Sequence, residues 1–225
     1  MKDALRAALT SVAVSGPAER PHLPPVSRTA LLVAMDDLHG DAVAAFAVRG
    51  FPREVAEASL ADIRRKNELY GDLVDDGWLI DVFLGRVVTL GRLQFEAQAD
   101  ARGRGIHIPE AGPLTAASVD DSLRLAREYF GADGIYVCTS WVFDPQLRAL
   151  PERSNLRAFA ERFEVAPAEP TDSALRSVAK FVFRSTPEDV AERGPLHCPS
   201  ALERIAYEVL AQHGAWSEPT GTLAA

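Results

Sequence analysis

Four side chains in the middle of this chain have the right types for proton transfer and hydrogen-bond donation: Glu96, His107, Ser140 and Asp144. Glu96 closes a β-rich run just after Phe95. At the mouth of a cleft, burial would raise its pKa and make it a useful general base; in solvent it would be an ordinary strand-end carboxylate. His107 stands between Ile106 and Ile108, so on a strand it faces opposite to both. It then either lines a cleft or packs, hydrogen-bonded, against a helix, and imidazoles as a class suit acid–base work near neutrality. Ser140 ends an apolar run, where its hydroxyl either donates to a ligand or caps the strand end. Asp144 precedes Pro145, a pattern of turns and helix caps more than of bases.

These types point to acid–base catalysis rather than covalent or metal chemistry. The sequence contains no Gly-x-Ser-x-Gly, and neither Cys138 nor Cys198 has a recognisable histidine partner. Cys138 lies in an apolar run and reads as a small core residue. His197 and Cys198 are adjacent, which is not zinc-ligand spacing, and Pro195 and Pro199 frame them in a loop. His39 beside Asp36, Asp37 and Asp41 reads as an exposed acidic helix face.

Composition narrows the partners. The 225 residues carry a net charge of −8 and are 47% hydrophobic, enough for a core and unlike a nucleic-acid binder with its basic face. No run approaches the ~18 apolar residues of a membrane span. Met1-Lys2-Asp3-Ala4-Leu5-Arg6 lacks the apolar core of a signal peptide. The expectation is a soluble, cytoplasmic protein with no nucleic-acid or membrane partner.

The elements that must position these residues follow from periodicity and breakers. Leu5, Leu9 and Val12 predict a first helix over 2–14, and the prolines at 17, 21, 24 and 25 a linker. Ser27 caps a helix running to about Val48, and another follows Pro52; on it Arg64-Arg65-Lys66 reads as a solvated face. Asp76–Phe83 and Val87–Glu96 predict two strands of a hairpin turning at Leu84-Gly85-Arg86. A short strand, Gly105–Pro109, leads through a loop to a helix capped by Thr115, with Val119, Leu123, Ala126 and Phe130 on one stripe. Gly134–Trp141 is an apolar strand. Ser154 caps a helix from Asn155 to about Phe163; Phe163–Val165 and Val178–Phe183 read as closing strands, and Ser200–His213 as a last helix. The expected organisation is a helical region over 1–75, a second domain over 76–217 and a tail over 218–225.

Several short stretches carry a resemblance. Leu90–Glu96, His107-Ile108-Pro109, Gly112–Thr115, Ser140–Leu147 and Ser154-Asn155-Leu156 resemble a bacterial group of the GNAT acyltransferase superfamily, GNAT-like carboxy-terminal domains preceded by a helical region. The likeness covers roughly residues 30 to 217. It implies an α+β fold, a mixed, mostly antiparallel sheet flanked by helices with an N-terminal helical extension. It implies acyl-CoA as co-substrate, no metal, and an amine acceptor on a small molecule or peptide. Pantetheine would lie between Ile106–Pro109 and Tyr136–Ser140, touching Ile108, Pro109 and Cys138. The pyrophosphate would sit near Glu110–Ala116, on Ala111, Gly112, Leu114 and Thr115, where a helix N-terminus offers free N–H groups. Glu96, His107 and Ser140 would be catalytic, Ser140 as donor to the thioester.

The chain also departs from that pattern. Glu110 puts a negative charge at the phosphate loop, Pro113 removes a donor, and Arg162 stands where the superfamily often places a thiolate-protonating tyrosine. Arg102 or Arg104 could compensate the charge. A non-catalytic module using the same cleft to bind a ligand or a protein is the alternative reading.

Overall fold

The computed structural model describes residues 1–15, 23–132, 134–194 and 198–224. Most of the proline-rich linker, together with Pro195 and His197, lies outside them. Five helices come first: α1 (Lys2–Ser15), α2 (Arg28–Asp37), α3 (His39–Val48), α4 (Arg53–Tyr70) and α5 (Asp76–Phe83). Ser27 caps α2 through the Ala30 N–H. The single helix expected from Ser27 to Val48 is two, divided at Leu38 (φ −103°). Leu5, Leu9, Leu31, Met35, Phe46, Leu79 and Phe83 meet in one apolar cluster.

Asp76–Phe83 is therefore a helix, not the expected strand. Asp75 caps it by accepting from Gly77 N at 2.5 Å. Leu79, Ile80, Val82 and Phe83 are buried together, a spacing that serves a helix as well as a strand over eight residues. The hairpin lies wholly within the second predicted strand: β1 (Val87–Leu90) pairs antiparallel with β2 (Leu93–Glu96), from Val87↔Glu96 to Leu90↔Leu93. The turn glycine is Gly91, at φ +64°, and a Cβ there would meet Ser122 Oγ at 2.8 Å.

The rest follows as β3 (Arg104–His107), α6 (Ala116–Phe130), β4 (Ile135–Thr139), α7 (Asn155–Ala160), β5 (Glu164–Val165), α8 (Asp172–Val178), α9 (Pro187–Arg193), α10 (Ala201–Ala211) and β6 (Thr220–Ala224). Two sequence expectations fail here. Val178–Phe183 is not a strand: α8 continues through a π-helical turn over Ala179–Phe183, ending where Arg184 turns left-handed at φ 55°. Thr220–Ala224 is not a tail. It pairs antiparallel with β4 along its whole length and with β5 on its other side. Its Thr-Gly-Thr start carries little apolar signal, so nothing in the local sequence announces a central strand.

The sheet order is β1-β2-β3-β4-β6-β5, and every neighbouring pair is antiparallel except β3 and β4. On β2 and β3, Phe95 and Ile106 are buried in a second apolar cluster with Val119, Leu123, Tyr136 and Trp216. The period-2 alternation puts Gln94, Glu96 and His107 on the opposite face. Helices α4 and α5 reach over that face: Ser59 on α4 accepts from Thr89 N, Asp62 on α4 accepts from Gln94, and Trp78 on α5 packs on His107.

Candidate active site

The parallel pair β3 and β4 is bonded only at Arg104↔Tyr136 and Gly105↔Val137. Beyond those pairs both strands continue, to His107 and to Thr139, without pairing to each other, each held only by its other neighbour. Where they part opens a cleft of about 590 Å3. His107, Ile108, Pro109, Gly112, Leu114, Cys138 and Ser140 all line it, so the structure brings together most of the residues singled out from sequence. Glu96, Ala111 and Thr115 are not part of the lining. Thr115 caps α6 by accepting from Ser118 N at 3.2 Å. Burial pushes the Cys138 thiol up to about 12, so it is an inert wall residue.

Glu96 stands behind His107. Its Oε1 lies 3.2 Å from His107 Nε2. Glycine makes this possible: a Cβ on Gly105, the next residue in register, would fall 2.5 Å from Glu96 Cδ. The carboxylate lies across β3 in the space a side chain would fill. The Trp78 ring meets the imidazole edge-on, with centroids 4.7 Å apart. The direction of the Glu96 shift is opposite to the expected one. The hydrogen bond from His107 holds the carboxyl below its ordinary value, against partial burial. Glu96 is an ionised partner that fixes the imidazole, and the group facing the cleft is His107. With Nε2 engaged by the carboxylate, Nδ1 has no hydrogen-bond partner among the described residues.

Ser140 closes β4 and its Oγ accepts from Val142 N at 3.3 Å, capping the 3-10 turn at Trp141–Phe143. The cap uses a lone pair and leaves the O–H free to donate. Asp144 is no base. It is buried and accepts from Ser217 N and Oγ, both at 2.7 Å, tying the segment before β6 to the site.

The loop before α6 carries its own compensation for Glu110. Arg184 pairs with Glu110 Oε1 at 2.6 Å, and the Tyr70 hydroxyl donates to Oε2. Burial works to raise the Glu110 pKa, and these bonds more than offset it, leaving it lowered. Arg92, at the hairpin turn, grips the same loop through Pro109 O (2.6 Å) and Gly112 O (3.2 Å). Arg102 and Arg104 do not compensate. Arg102 is paired with Asp100, and Arg104 lies over the Phe130 ring at 3.7 Å. Arg162 is turned to α6, bonded to Asp120 at 2.6 Å, so the missing tyrosine has no substitute at that position.

Sequence reasoning missed the wall supplied by the N-terminal helices: Lys66, Tyr70, Val74, Asp75 and Trp78. Lys66 is not on a solvated face. Ser59, Asp62, Lys66 and Tyr70 are all buried in α4. Their spacing of three and four is the available signal: a polar stripe at helical period where an apolar one belongs. Gln94, which lines the cleft beside His107, was missed as well.

An open sheet with one parallel pair at its centre that parts toward a loop–helix N-terminus defines a GNAT-type acyltransferase fold. The chain belongs to the family of GNAT-like C-terminal domains, whose profile matches residues 87–223. No curated protein sequence matches it. Among solved structures it is similar to an acyltransferase in complex with decanoyl-CoA and teicoplanin, at 26% identity, covering 98% of this chain and 76% of that one, with a TM-score of 0.78. It is also similar to an acyltransferase in complex with CoA and 10C-teicoplanin, at 27% identity, the same coverages and a TM-score of 0.75. A mutant acyltransferase in complex with octanoyl-CoA gives the same identity, coverages and score. Among the described residues no group of His, Cys, Asp and Glu could hold a metal ion, and no helix is long and apolar enough to cross a membrane.

Proposed function

We propose that the chain is an acyl-CoA-dependent N-acyltransferase, moving an acyl group to an amine of a small molecule or peptide. The observation that carries this is His107, held from behind by an ionised Glu96 and exposed to the cleft where β3 and β4 part. The acyl-CoA complexes of the similar structures support the donor half of the reading. Pantetheine enters between the diverging strands, and the pyrophosphate lies by Gly112, whose Cα faces open space at φ +67°. Arg92 and Arg184 leave that loop with cationic character despite Glu110.

In this reading His107 Nδ1 accepts the amine proton as the nitrogen attacks the thioester carbonyl. The C–N bond forms, the C–S bond breaks, and the thiolate of CoA departs. The Ser140 hydroxyl donates to the thioester end. A positioned base of this kind contributes about 10²–10⁴-fold. A non-catalytic module with the same cleft would have no use for a carboxylate that orients an imidazole, which favours the enzyme.

The test is calorimetry with CoA, acetyl-CoA, octanoyl-CoA and decanoyl-CoA, followed by mass spectrometry of an amine panel. Absence of heat with every donor would end this reading. Binding without any N-acylated product would point to the module.

A further inference from the structure

Lys66 is a charged side chain held largely out of solvent in α4. Its side chain is only 9% exposed, and its nearest carboxylate oxygen, Asp62 Oδ2, is 4.0 Å away. Asp62 is already spoken for: Arg65 donates to Oδ1 and Gln94 Nε2 to Oδ2 at 2.9 Å. The other charge facing Lys66 from the adjoining loop is Glu110, which Arg184 and Tyr70 occupy. Among the described residues Lys66 Nζ makes no hydrogen bond. It sits instead among the rings of Tyr70, Trp78 and Phe181, at 5.7, 5.7 and 6.0 Å. Among the described residues Lys180 Nζ, over the Phe181 ring at 4.4 Å, has no carboxylate within ion-pairing distance, with Asp75 and Glu218 acting on it only at longer range. Both lysines line the cleft with His107.

An ammonium on a largely buried side chain, with no protein hydrogen bond and open only to the cleft, favours whatever anion arrives to pair with it. We infer that Lys66, assisted by Lys180, is an anion-recognition point on the acceptor side of the cleft, and that the acceptor amine carries a carboxylate. The inference rests on the acyltransferase reading above. The aromatic rings suit it, since they exclude water and strengthen a charge-assisted hydrogen bond from Nζ to a carboxylate oxygen. Lys66 and His107 both pack on Trp78, so an acceptor anchored at one end would present its amine toward the other.

N-decanoylglycine and N-decanoylglycinamide, which span the acyl and acceptor positions and differ only in the carboxylate, are the probes. Calorimetry should show the acid binding at least tenfold tighter than the amide. Lys66→Met should erase that ratio, Lys66→Arg should keep part of it, and neither should change the Kd for CoA more than about twofold. Equal affinities of acid and amide, no binding of either by a protein that still binds CoA, or an unchanged ratio in a folded Lys66→Met protein would each overturn the inference. Weakened CoA binding in Lys66→Met would overturn it too, by assigning the lysine to the phosphates. Failure of CoA itself to bind would instead strike the parent reading.

Discussion

The two sides of the cleft are built from different materials. The side proposed to take the pyrophosphate, Glu110–Ala116, is backbone: a positive-φ glycine, a helix N-terminus, and carbonyls pinned by Arg92. The side proposed to take the acceptor is side chains brought from distant parts of the chain: Lys66 and Tyr70 from α4, Trp78 from α5, Gln94 and His107 from neighbouring strands, Lys180 from the turn after α8. Backbone recognition tolerates changes of residue type as long as the turn survives. A side-chain wall is sensitive to single substitutions and is the natural place for specificity to differ between relatives.

That division can be broken or sharpened by substitution. The largest effect is expected from His107→Gln, which should lower turnover by about 10²–10⁴-fold while leaving acyl-CoA affinity within about twofold. A comparable loss of CoA affinity in isothermal titration would show that the two sides are not separable. Next comes Gly112→Val. No protein atom stands within 4 Å of the added Cβ, so any loss comes from backbone strain and from contact with ligand. A left-handed non-glycine residue costs about 1–2 kcal/mol, which should lower Tm by several degrees. CoA binding should weaken beyond that strain, by roughly tenfold or more. Normal affinity in the folded fraction would make the glycine purely structural.

Glu96→Gln should be milder, about tenfold in turnover, because the carboxylate acts through the imidazole. It also has a stability signature. The folded-state pKa of Glu96 is depressed, chiefly by the His107 hydrogen bond. A depressed carboxyl adds stability above its unfolded pKa and loses it as pH falls through the folded one. The Tm gap between the native protein and Glu96→Gln should therefore be widest near neutrality and close below about pH 4. A gap that stays constant down to pH 3 would mean that the Glu96 carboxyl titrates alike in the folded and unfolded chain. Ser140→Ala is expected to cost the least, about threefold in turnover, since water can replace both the cap on the Val142 N–H and the hydroxyl's donation to the thioester end.

The same division explains how much could be read in advance. Local patterns placed the α6 stripe, its Thr115 cap and the apolar β4 run, and they mark the glycine loop before α6. His107 was legible because two isoleucines flank it. The eight residues of α5 could not be told from a strand, because a short apolar run fits both periods and only the packing of Leu79 and Phe83 against the N-terminal helices decides. The basic neighbours Arg64 and Arg65 make Lys66 look solvated in the sequence, whereas the deciding fact is the sheet that α4 covers. The pKa direction of Glu96 depended on Gly105, whose missing Cβ lets the carboxylate reach across a strand.

Strand β6 has a kinetic consequence. Thr139 and Thr220 touch through their hydroxyls across 81 residues of sequence. Among the described residues, β6 is also the only strand that links β5 to the rest of the sheet. Such distant pairing makes chain closure slow, since the entropy of a long loop must be lost before the ladder repays it. A nascent chain would therefore hold β4 with one edge bare until residue 224 is available, and a ribosome-stalled intermediate ending near residue 217 should present that edge to chaperones.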